Sequence, residues 1–278
     1  VTSGIWRQER VQRVQQVPLA RQFTVALLVA ATFALVMCSR LDQIYGGNYS
    51  GFLIIARENF DRHPQLNQRA DIRSSLLLQD GGYDAEFMYF AVFDPFIRVY
   101  RDTPKRYGEF IDFPPYRYSR IGFSLLTKAV TLDQWRWYPA AMIWLVLFGL
   151  FASSFILAGI ARDHGASPWW GATVLLVPGF WRSLEWGLPE PLAAAWLLGG
   201  YWALTRKRWW VAGGCFGGSL LTRETDVVVI FLLLAWSFFS GRRREAFLAG
   251  LIAVVPLAAW RIYVGLTFFS GWGWDAFF

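Results

Sequence analysis

The segment GGYDAEFMYF, residues 81–90, places two carboxylates, Asp84 and Glu86, among aromatic side chains and a methionine. A carboxylate in such surroundings can act as a general base or bind a cation. If the segment is helical, the two residues diverge by about 200° around the axis, so that one of them faces a cleft alone. If it is extended, both carboxylates can chelate one metal ion. A solvated loop carboxylate without a chemical role is the third alternative.

A second group of charged residues lies in RDTPKRYGEFIDFPPYRYSRIGF, residues 101–123. Arg117 and Arg120 are three residues apart and share one side of the chain if this part is helical. Arginine presents a planar fork of donors that matches the oxygens of a phosphate group. Ordinary salt bridges to Glu109 and Asp112 are the alternative role, and the pattern favours that role for Lys105 and Arg106 more than for the arginine pair.

Two further charged clusters interrupt apolar runs later in the chain. WRSLEWGLPEP, residues 181–191, contains Glu190 at an expected helix start, where a negative charge stabilises the helix dipole. Helix capping and substrate contact are both open for this residue. TRETD, residues 222–226, contains Arg223 and Glu224, which either pair with each other or face a cleft.

The composition indicates a protein whose solvent is a lipid bilayer. Of the 278 residues, 55% are hydrophobic and 18% aromatic, and 16 are tryptophans. Soluble domains contain about 45–50% apolar residues. Cys38 and Cys215 lie in apolar runs and the two histidines are far apart, so neither a disulfide framework nor a histidine metal site is indicated. The net charge of +7 is placed beside apolar runs, which argues against nucleic acid as a partner.

Seven apolar runs separated by charged segments are candidate transmembrane helices. They are residues 23–38, 138–161, 168–180, 191–205, 209–221, 227–240 and 246–266. The sequence thus predicts an all-α polytopic membrane protein with about seven transmembrane helices. Residues 39–137 form a long extracytoplasmic loop with short helices, within a single transmembrane domain, 23–278. Residues 1–22 form a basic amphipathic segment suited to a membrane surface, with a cleavable signal peptide as the competing interpretation.

The positions of lysine and arginine predict the orientation of these runs. With a cytoplasmic N-terminus, the inner segments hold most of the basic residues outside the long loop. The inner ones are Arg7, Arg10, Arg13, Arg21, Arg162, Arg206, Lys207, Arg208, Arg242, Arg243 and Arg244, and the outer ones are Arg182, Arg223 and Arg261. We therefore expect an integral membrane protein with a cytoplasmic N-terminus and an extracytoplasmic main loop.

Some candidate spans are too short to cross a bilayer. Residues 209–221 reach roughly 20 Å as a helix, against a hydrocarbon core of about 30 Å, whereas 209–240 as one helix would reach roughly 48 Å. The helix must therefore break at 222–226, and 181–191 is a similar break. Charged non-helical backbone at that depth is tolerated only where it lines a protein- or water-filled cavity. The sequence predicts such a cavity on the outer side, beneath the loop that carries Asp84.

Together these motifs resemble the GT-C superfamily of polytopic glycosyltransferases. GGYDAEFMYF resembles the Trp/Tyr-Asp-x-x-Trp/Phe-Tyr segment of bacterial mannosyltransferase-like members and of the GPI mannosyltransferases. YRYSRIGFSLL is similar to the segment that follows in the bacterial members, and GLPEPLAAAWLLGG and LLTRET are similar to their later outer-turn motifs. Ala85 and Glu86 depart from the glycine and glutamine of the bacterial relatives.

The resemblance implies inverting transfer of a sugar from a polyprenyl phosphate in the membrane to an acceptor hydroxyl on the extracytoplasmic side. Asp84 would be the general base, and Arg117, Arg120 and Arg223 would hold the lipid phosphate. Further candidates for substrate binding are Tyr83, Tyr118 and Glu190. Some members need a divalent ion such as Mg²⁺ or Mn²⁺, for which Glu86 is the candidate ligand. The alternative is a non-catalytic subunit with the same scaffold, packed against protein partners in a larger membrane complex.

Overall fold

The computed structural model of the protein describes residues 19–272. Helices contain most of these residues, and a single parallel pair of strands among them joins β1, Ile55–Ala56, to β2, Leu78–Gln79. The all-α prediction is therefore confirmed for the described part of the chain. The predicted amphipathic segment, 1–22, lies outside the described residues except for its last four, which begin the first helix.

Twelve α-helices follow one another within residues 19–272. They are α1 (Leu19–Gln43), α2 (Arg57–Arg62), α3 (Ala70–Arg73), α4 (Asp84–Phe93), α5 (Pro114–Tyr118), α6 (Ile121–Val130), α7 (Tyr138–Asp163), α8 (Pro178–Glu185), α9 (Glu190–Thr205), α10 (Trp209–Thr222), α11 (Val227–Phe239) and α12 (Arg243–Trp272). The 3-10 helices are Tyr49–Leu53, Pro104–Glu109, Trp135–Trp137, Pro168–Leu176 and Glu224–Asp226. The short helices expected in the long loop are thus present.

Three helices in the described range are long and apolar enough to cross a membrane. They are α1, the stretch Trp135–Asp163 that includes α7, and Arg243–Phe268 of α12. These three helices fit a membrane protein.

The expectation of about seven transmembrane helices is wrong by the same measure of length. Helices α9, α10 and α11 have 16, 14 and 13 residues, respectively. They reach about 20–24 Å, which is less than the hydrocarbon core of about 30 Å. The apolar run 168–180 is not one helix either, because Pro178 starts α8 after a 3-10 helix that ends at Leu176. Hydropathy counts apolar residues but does not register such helix ends.

Helix α7 is the central helix of the bundle and packs against α1, α9 and the 3-10 helix Pro168–Leu176. The contact with α9 is close because Gly149 has no side chain: a Cβ there would lie 2.5 Å from the backbone nitrogen of Leu192. The Ser153 hydroxyl donates a hydrogen bond to the Pro191 carbonyl oxygen, 3.2 Å away. This crossing fixes the start of α9, and with it the end of the break at 181–191.

Residues 44–137, which we call the loop segment, fold onto one end of this bundle. Their apolar core is continuous with that of the bundle, since the rings of Tyr107 and Tyr118 pack against Phe268 of α12. Trp260 of α12 donates its indole N–H to the Tyr118 carbonyl oxygen at 2.7 Å. The loop segment is therefore anchored by the third long helix as well as by the chain connections at its two ends.

Several of the basic residues predicted for inner segments lie at the opposite end of the bundle. Arg206 Nη2 is 2.7 Å from Asp163 Oδ2 at the end of α7, and Arg242 donates to the Leu204 carbonyl oxygen at 2.9 Å. The two ends of the bundle thus differ. One carries the loop segment, and the other carries Arg206 and Arg242, which we call the basic rim.

The run GGCFGG, residues 213–218, contains two overlapping Gly-x-x-x-Gly pairs, a pattern typical of close helix packing. The first two glycines of this run, which lies within α10, have different surroundings. A Cβ on Gly213 would lie 2.7 Å from Cβ of Ile252 and 2.8 Å from the carbonyl oxygen of Ala249, both in α12. A Cβ on Gly214 would have nothing within 4 Å.

We predict opposite effects on stability for Gly213→Ala and Gly214→Ala. The first forces α10 away from α12 and lowers the free energy of unfolding by about 1–3 kcal/mol. The second fills open space and improves helix propensity, so the free energy of unfolding stays the same or rises by up to about 1 kcal/mol. Thermal unfolding of the detergent-solubilised protein measures both. Equal destabilisation by the two variants would contradict the α10–α12 contact.

Candidate functional site

Asp84 is the first residue of α4, so the helical alternative for this segment is the one present. Its N-cap residue, Tyr83, has an extended backbone and donates its N–H to the Ile54 carbonyl oxygen at 3.2 Å. A carboxylate at a helix N-terminus is stabilised by the helix dipole. The helix separates the two acids: the side chain of Asp84 is 36% exposed, whereas Glu86 is 1% exposed.

Arg117, in α5, holds Asp84 to a second carboxylate. Its Nη1 lies 2.7 Å from Asp84 Oδ1, while its Nε and Nη2 donate to the two oxygens of Asp112 at 2.7 and 2.9 Å. The guanidinium carbon is 4.4 Å from the ring centre of Phe87, which gives a cation–π contact. Every nitrogen of this guanidinium therefore already has a carboxylate partner.

Arg120 lies on the other side of Asp84 and binds a carboxylate from a distant part of the chain. Its Nε and Nη2 donate to Glu224 at 2.8 and 2.9 Å, and Nη2 also donates to the Tyr116 hydroxyl. Its Nη1 is 3.8 Å from Asp84 Oδ2. We call Asp84, Asp112, Arg117, Arg120 and Glu224 the Asp84 cluster.

Both chain breaks lie beside this cluster. Glu224 begins the 3-10 helix between α10 and α11, which is the predicted break at 222–226. The ring of Tyr83 is 4.4 Å from that of Trp186, which follows α8 in the other break. Gly187 adopts a left-handed φ of 63°, and a Cβ there would lie 2.8 Å from a side-chain carbon of Leu53. The prediction that both breaks are on the side of the loop is therefore confirmed. The predicted bounds 181–191 are too wide, because residues 181–185 belong to α8 and only 186–189 separate α8 from α9.

Salt bridges form at Arg117 and Arg120 as well as at Arg106, where one to Glu109 was expected. Arg117 and Arg120, only 15% and 16% exposed, form close salt bridges, whereas Arg106 is 3.9 Å from Glu109 at an exposed position. Local spacing does not reveal the close salt bridges of Arg117 and Arg120, because Asp84 and Glu224 come near these arginines only in the folded chain.

The alternative in which Arg223 and Glu224 pair with each other is not the one adopted. Glu224 turns to Arg120 instead. Arg223 is exposed and forms no salt bridge within 4.0 Å to any described carboxylate. It is therefore a cation without a close carboxylate partner in the described part of the chain, next in sequence to Glu224.

Glu86 serves the architecture of the loop segment. Its Oε2 accepts the N–H of Ala56 at 2.8 Å, and its Oε1 accepts from Nδ2 of Asn59 at 2.9 Å, so it fastens β1 and α2 to α4. Burial raises the pKa of Glu86 to about 7, although these two hydrogen bonds favour the charged form. Both carboxylate oxygens are engaged, and they do not converge with Asp84.

The described residues do not fit a divalent metal. No group of three or more His, Cys, Asp or Glu side chains in this part of the chain is placed to hold one. The oxygens of Glu86 are taken by an amide and a backbone N–H, and Asp84 faces two guanidinium groups. A metal at this position would have to displace those partners, so we derive no chemical step through one.

Two other predicted residues lie apart from the Asp84 cluster. Tyr118 is buried, and its hydroxyl donates to the Asp94 carbonyl oxygen at 3.1 Å, which places it in the apolar core. Glu190 is the first residue of α9, and its Oε2 accepts from the Ser183 hydroxyl at 3.2 Å. Of the two roles open to Glu190, these contacts fit the helix start.

The sequence pattern did not identify Tyr116 and Phe87 as contacts of Arg117 and Arg120. Tyr116 had a usable signal, because it lies four residues before Arg120, and residues so spaced are neighbours on a helix. Phe87 had none, whereas Asp112 was considered as a partner for an ordinary salt bridge. The partnership of Arg120 with Glu224 joins residues 104 positions apart, which no local pattern reveals.

Comparisons of the chain with protein-family models, with curated proteins and with solved structures gave no match. The likeness to GT-C enzymes therefore rests on the sequence motifs alone.

We predict that Glu224→Gln lowers the free energy of unfolding by about 2–3 kcal/mol, because it leaves a half-buried guanidinium without its charged partner. Thermal or denaturant unfolding of the purified protein measures the loss. Glu109→Gln is the matched control: its salt bridge with Arg106 is long and exposed, so the change should be at most about 0.5 kcal/mol. Similar losses for both variants would show that the Arg120 pair contributes no more than a surface salt bridge.

We also predict a pH dependence of stability that Glu86→Gln removes. Because the folded-state pKa of Glu86 is raised to about 7 from 4.5, its contribution is fully present below pH 4.5 and is lost as the pH rises through 7. Burial lowers the pKa of His63 to about 4, which acts in the opposite direction below its ordinary pKa of 6.5.

The unfolding temperatures of wild type and Glu86→Gln, measured from pH 5 to 8.5, isolate the carboxylate because both proteins keep His63. We expect the wild type to lose stability relative to Glu86→Gln as the pH rises. Parallel curves for the two proteins would show that Glu86 does not titrate in this range.

Proposed function

We propose that the chain transfers a sugar from a polyprenyl-phosphate donor to an acceptor hydroxyl, with the Asp84 cluster as its catalytic site. The observation that carries this proposal is the placement of Asp84. Its partly exposed carboxylate lies between two arginines, at the point where the loop segment meets both chain breaks. A positioned carboxylate beside fixed positive charge is the arrangement that glycosyl transfer from a phosphate leaving group requires.

The two oxygens of Asp84 have different surroundings, which assigns them different tasks in this mechanism. Oδ1 is held by Arg117 at 2.7 Å, while the nearest cation to Oδ2, on Arg120, is 3.8 Å away. Oδ2 accepts the proton of the acceptor hydroxyl. The acceptor oxygen then forms a bond to the anomeric carbon as the bond from that carbon to the phosphate oxygen breaks. The electron pair leaves with the phosphate, and attack from the opposite face inverts the anomeric configuration.

Arg223 is the residue best suited to bind the leaving phosphate. The guanidinium groups of Arg117 and Arg120 are already compensated by carboxylates, whereas Arg223 is exposed without such a partner among the described residues. Helix α11 begins four residues further on, and its exposed Val228 and Phe231 offer an apolar surface for a polyprenyl chain. The phosphate and its lipid would thus approach the Asp84 cluster from the α11 side.

The proposal places the chain in a bacterial inner membrane as a GT-C-like enzyme. Its N-terminus is cytoplasmic, and the loop segment and the Asp84 cluster lie on the periplasmic side. The basic rim at the end of the bundle away from the loop segment supports this orientation, since positive residues concentrate on the cytoplasmic side.

A non-catalytic membrane subunit is the second candidate, and a specific observation favours it. Two guanidinium groups and three carboxylates satisfy one another within the Asp84 cluster, as they would in a purely structural network. In this interpretation the exposed apolar side chains of α11 and α12, such as Phe231 and Phe247, contact a protein partner.

We predict that Asp84→Asn reduces sugar transfer by about a hundredfold or more, because a neutral amide cannot accept the proton. The measurement is incorporation of label from radiolabelled polyprenyl-phosphate mannose and polyprenyl-phosphate glucose into membranes that contain the full chain. Asp102→Asn is the matched control, since Asp102 is an exposed carboxylate in the same loop segment.

Equal incorporation by wild type and Asp84→Asn would refute the assigned base. Incorporation by wild type that does not exceed that of membranes without the protein, with either donor, would favour the subunit. Loss of transfer in both Asp84→Asn and Asp102→Asn would point to general damage of the loop segment instead of to a base.

A further inference from the structure

A second polar region lies on a different face of α4. A cavity of about 680 Å³ separates the loop segment from the N-terminal end of α7, and its lining includes Tyr49, Tyr89 and Trp137. Small-molecule sites have volumes of about 300–1,000 Å³. Asp84 and Tyr89 are five residues apart on α4, or about 140° around its axis, so this cavity is distinct from the Asp84 cluster.

Tyr89 lines this cavity and carries a polar atom that the described part of the chain does not use. The residue is 0% exposed, and its hydroxyl has no hydrogen-bond partner among the described residues. A buried hydroxyl without a partner costs free energy, commonly about 1–3 kcal/mol. Burial raises the pKa of Tyr89 well above its ordinary value, so the hydroxyl keeps its proton and is available as a donor. This is the kind of group that a bound ligand would satisfy.

The rest of the lining alternates aromatic faces with charged groups. Trp137 is 61% exposed, and Trp135 has the guanidinium groups of Arg69 and Arg136 at 5.6 and 5.5 Å from its ring. Arg69 is paired with Asp71, which also lines the cavity. Arg136 is exposed and has no salt bridge within 4.0 Å to a described carboxylate.

Two glycines keep one wall of the cavity open. Gly46 and Gly47 both have positive φ, and a Cβ on either would meet nothing within 4 Å. No side chain blocks the backbone there, so a ligand can approach it closely.

An apolar groove adjoins the cavity. It has a volume of about 470 Å³, is lined by Val130, Leu132 and Trp144, and shares Trp137 with the cavity. Trp137 therefore stands between a polar chamber and an apolar surface at the start of a membrane-length helix. Tryptophan at this level of a helix is common as an interfacial anchor, but an anchor alone does not account for the unused hydroxyl of Tyr89.

We infer that this cavity binds a pyranosyl group, the ring unit of a saccharide. The C–H face of a pyranose packs on an aromatic ring, here Trp137, while its hydroxyls need donors and acceptors around the edge. Tyr89 donates to a sugar oxygen at the inner end, and Arg136 and Asp71 serve hydroxyls at the mouth. When the sugar is lipid-linked, its chain lies in the adjoining groove. This is a binding site without a reaction, and it does not depend on the proposed transfer activity.

The test measures binding of methyl β-D-glucopyranoside and methyl α-D-mannopyranoside to the full chain in lipid nanodiscs, by saturation-transfer NMR and ligand-induced thermal stabilisation. We expect Tyr89→Phe to bind about fivefold more weakly, since one hydrogen bond is lost, while its unfolding temperature without sugar stays the same or rises. We expect Trp137→Ala to lose binding. Trp169→Ala, an exposed tryptophan on the 3-10 helix Pro168–Leu176, should bind as the wild type does.

The two sources of the sugar are distinguished with n-octyl β-D-glucopyranoside below its micelle concentration. Binding at least about tenfold tighter than that of the methyl glycoside, with the gain lost in Trp144→Ala, supports a lipid-linked sugar. Equal affinity of the two glycosides supports a free saccharide. The inference is overturned if neither methyl glycoside binds the wild type, if Tyr89→Phe binds as tightly as wild type, or if inorganic phosphate displaces the sugar.

Discussion

Two guanidinium groups join parts of the chain that are far apart in sequence. Arg117 and Arg120 lie at one corner of the loop segment, and through them Asp84 at the start of α4 is tied to Asp112 and to Glu224 between α10 and α11. The two guanidinium groups are largely withdrawn from water, so removal of a carboxylate partner leaves a poorly solvated charge. The position of the loop segment on the bundle and the backbone conformation of residues 222–226 therefore depend on the same ion pairs.

The parts of this arrangement that were predictable from sequence follow from local spacing. Hydropathy gave the long loop and its flanking helices, and the short apolar runs placed the breaks at 181–191 and 222–226 on one side. Helical spacing also gave the divergence of Asp84 from Glu86. Each of these inferences uses residues within about one or two helical turns of one another, or counts along a single run.

What sequence reasoning missed depends on contacts between distant segments. Glu86 is held by Ala56 and Asn59, about thirty residues earlier, and Tyr118 is buried by residues of α12. The overcount of transmembrane helices has a related cause. A run such as 168–180 is apolar throughout, but its backbone changes from 3-10 to α geometry where Pro178 intervenes. Apolar composition alone does not report where a helix begins and ends.

The glycine-lined contact of α10 with α12 has a mechanical consequence. Helix α12 starts at the basic rim and ends inside the loop segment, where Trp260 and Phe268 touch Tyr118. At Gly213 the backbone of α10 lies directly against the Ile252 side chain and the Ala249 carbonyl oxygen of α12, so α10 contributes no side chain to this contact. This contact therefore fixes the middle of α12 against α10. Pro256 lies between this contact and the contacts with Tyr118. Because proline has no backbone N–H, this position is where α12 bends most easily.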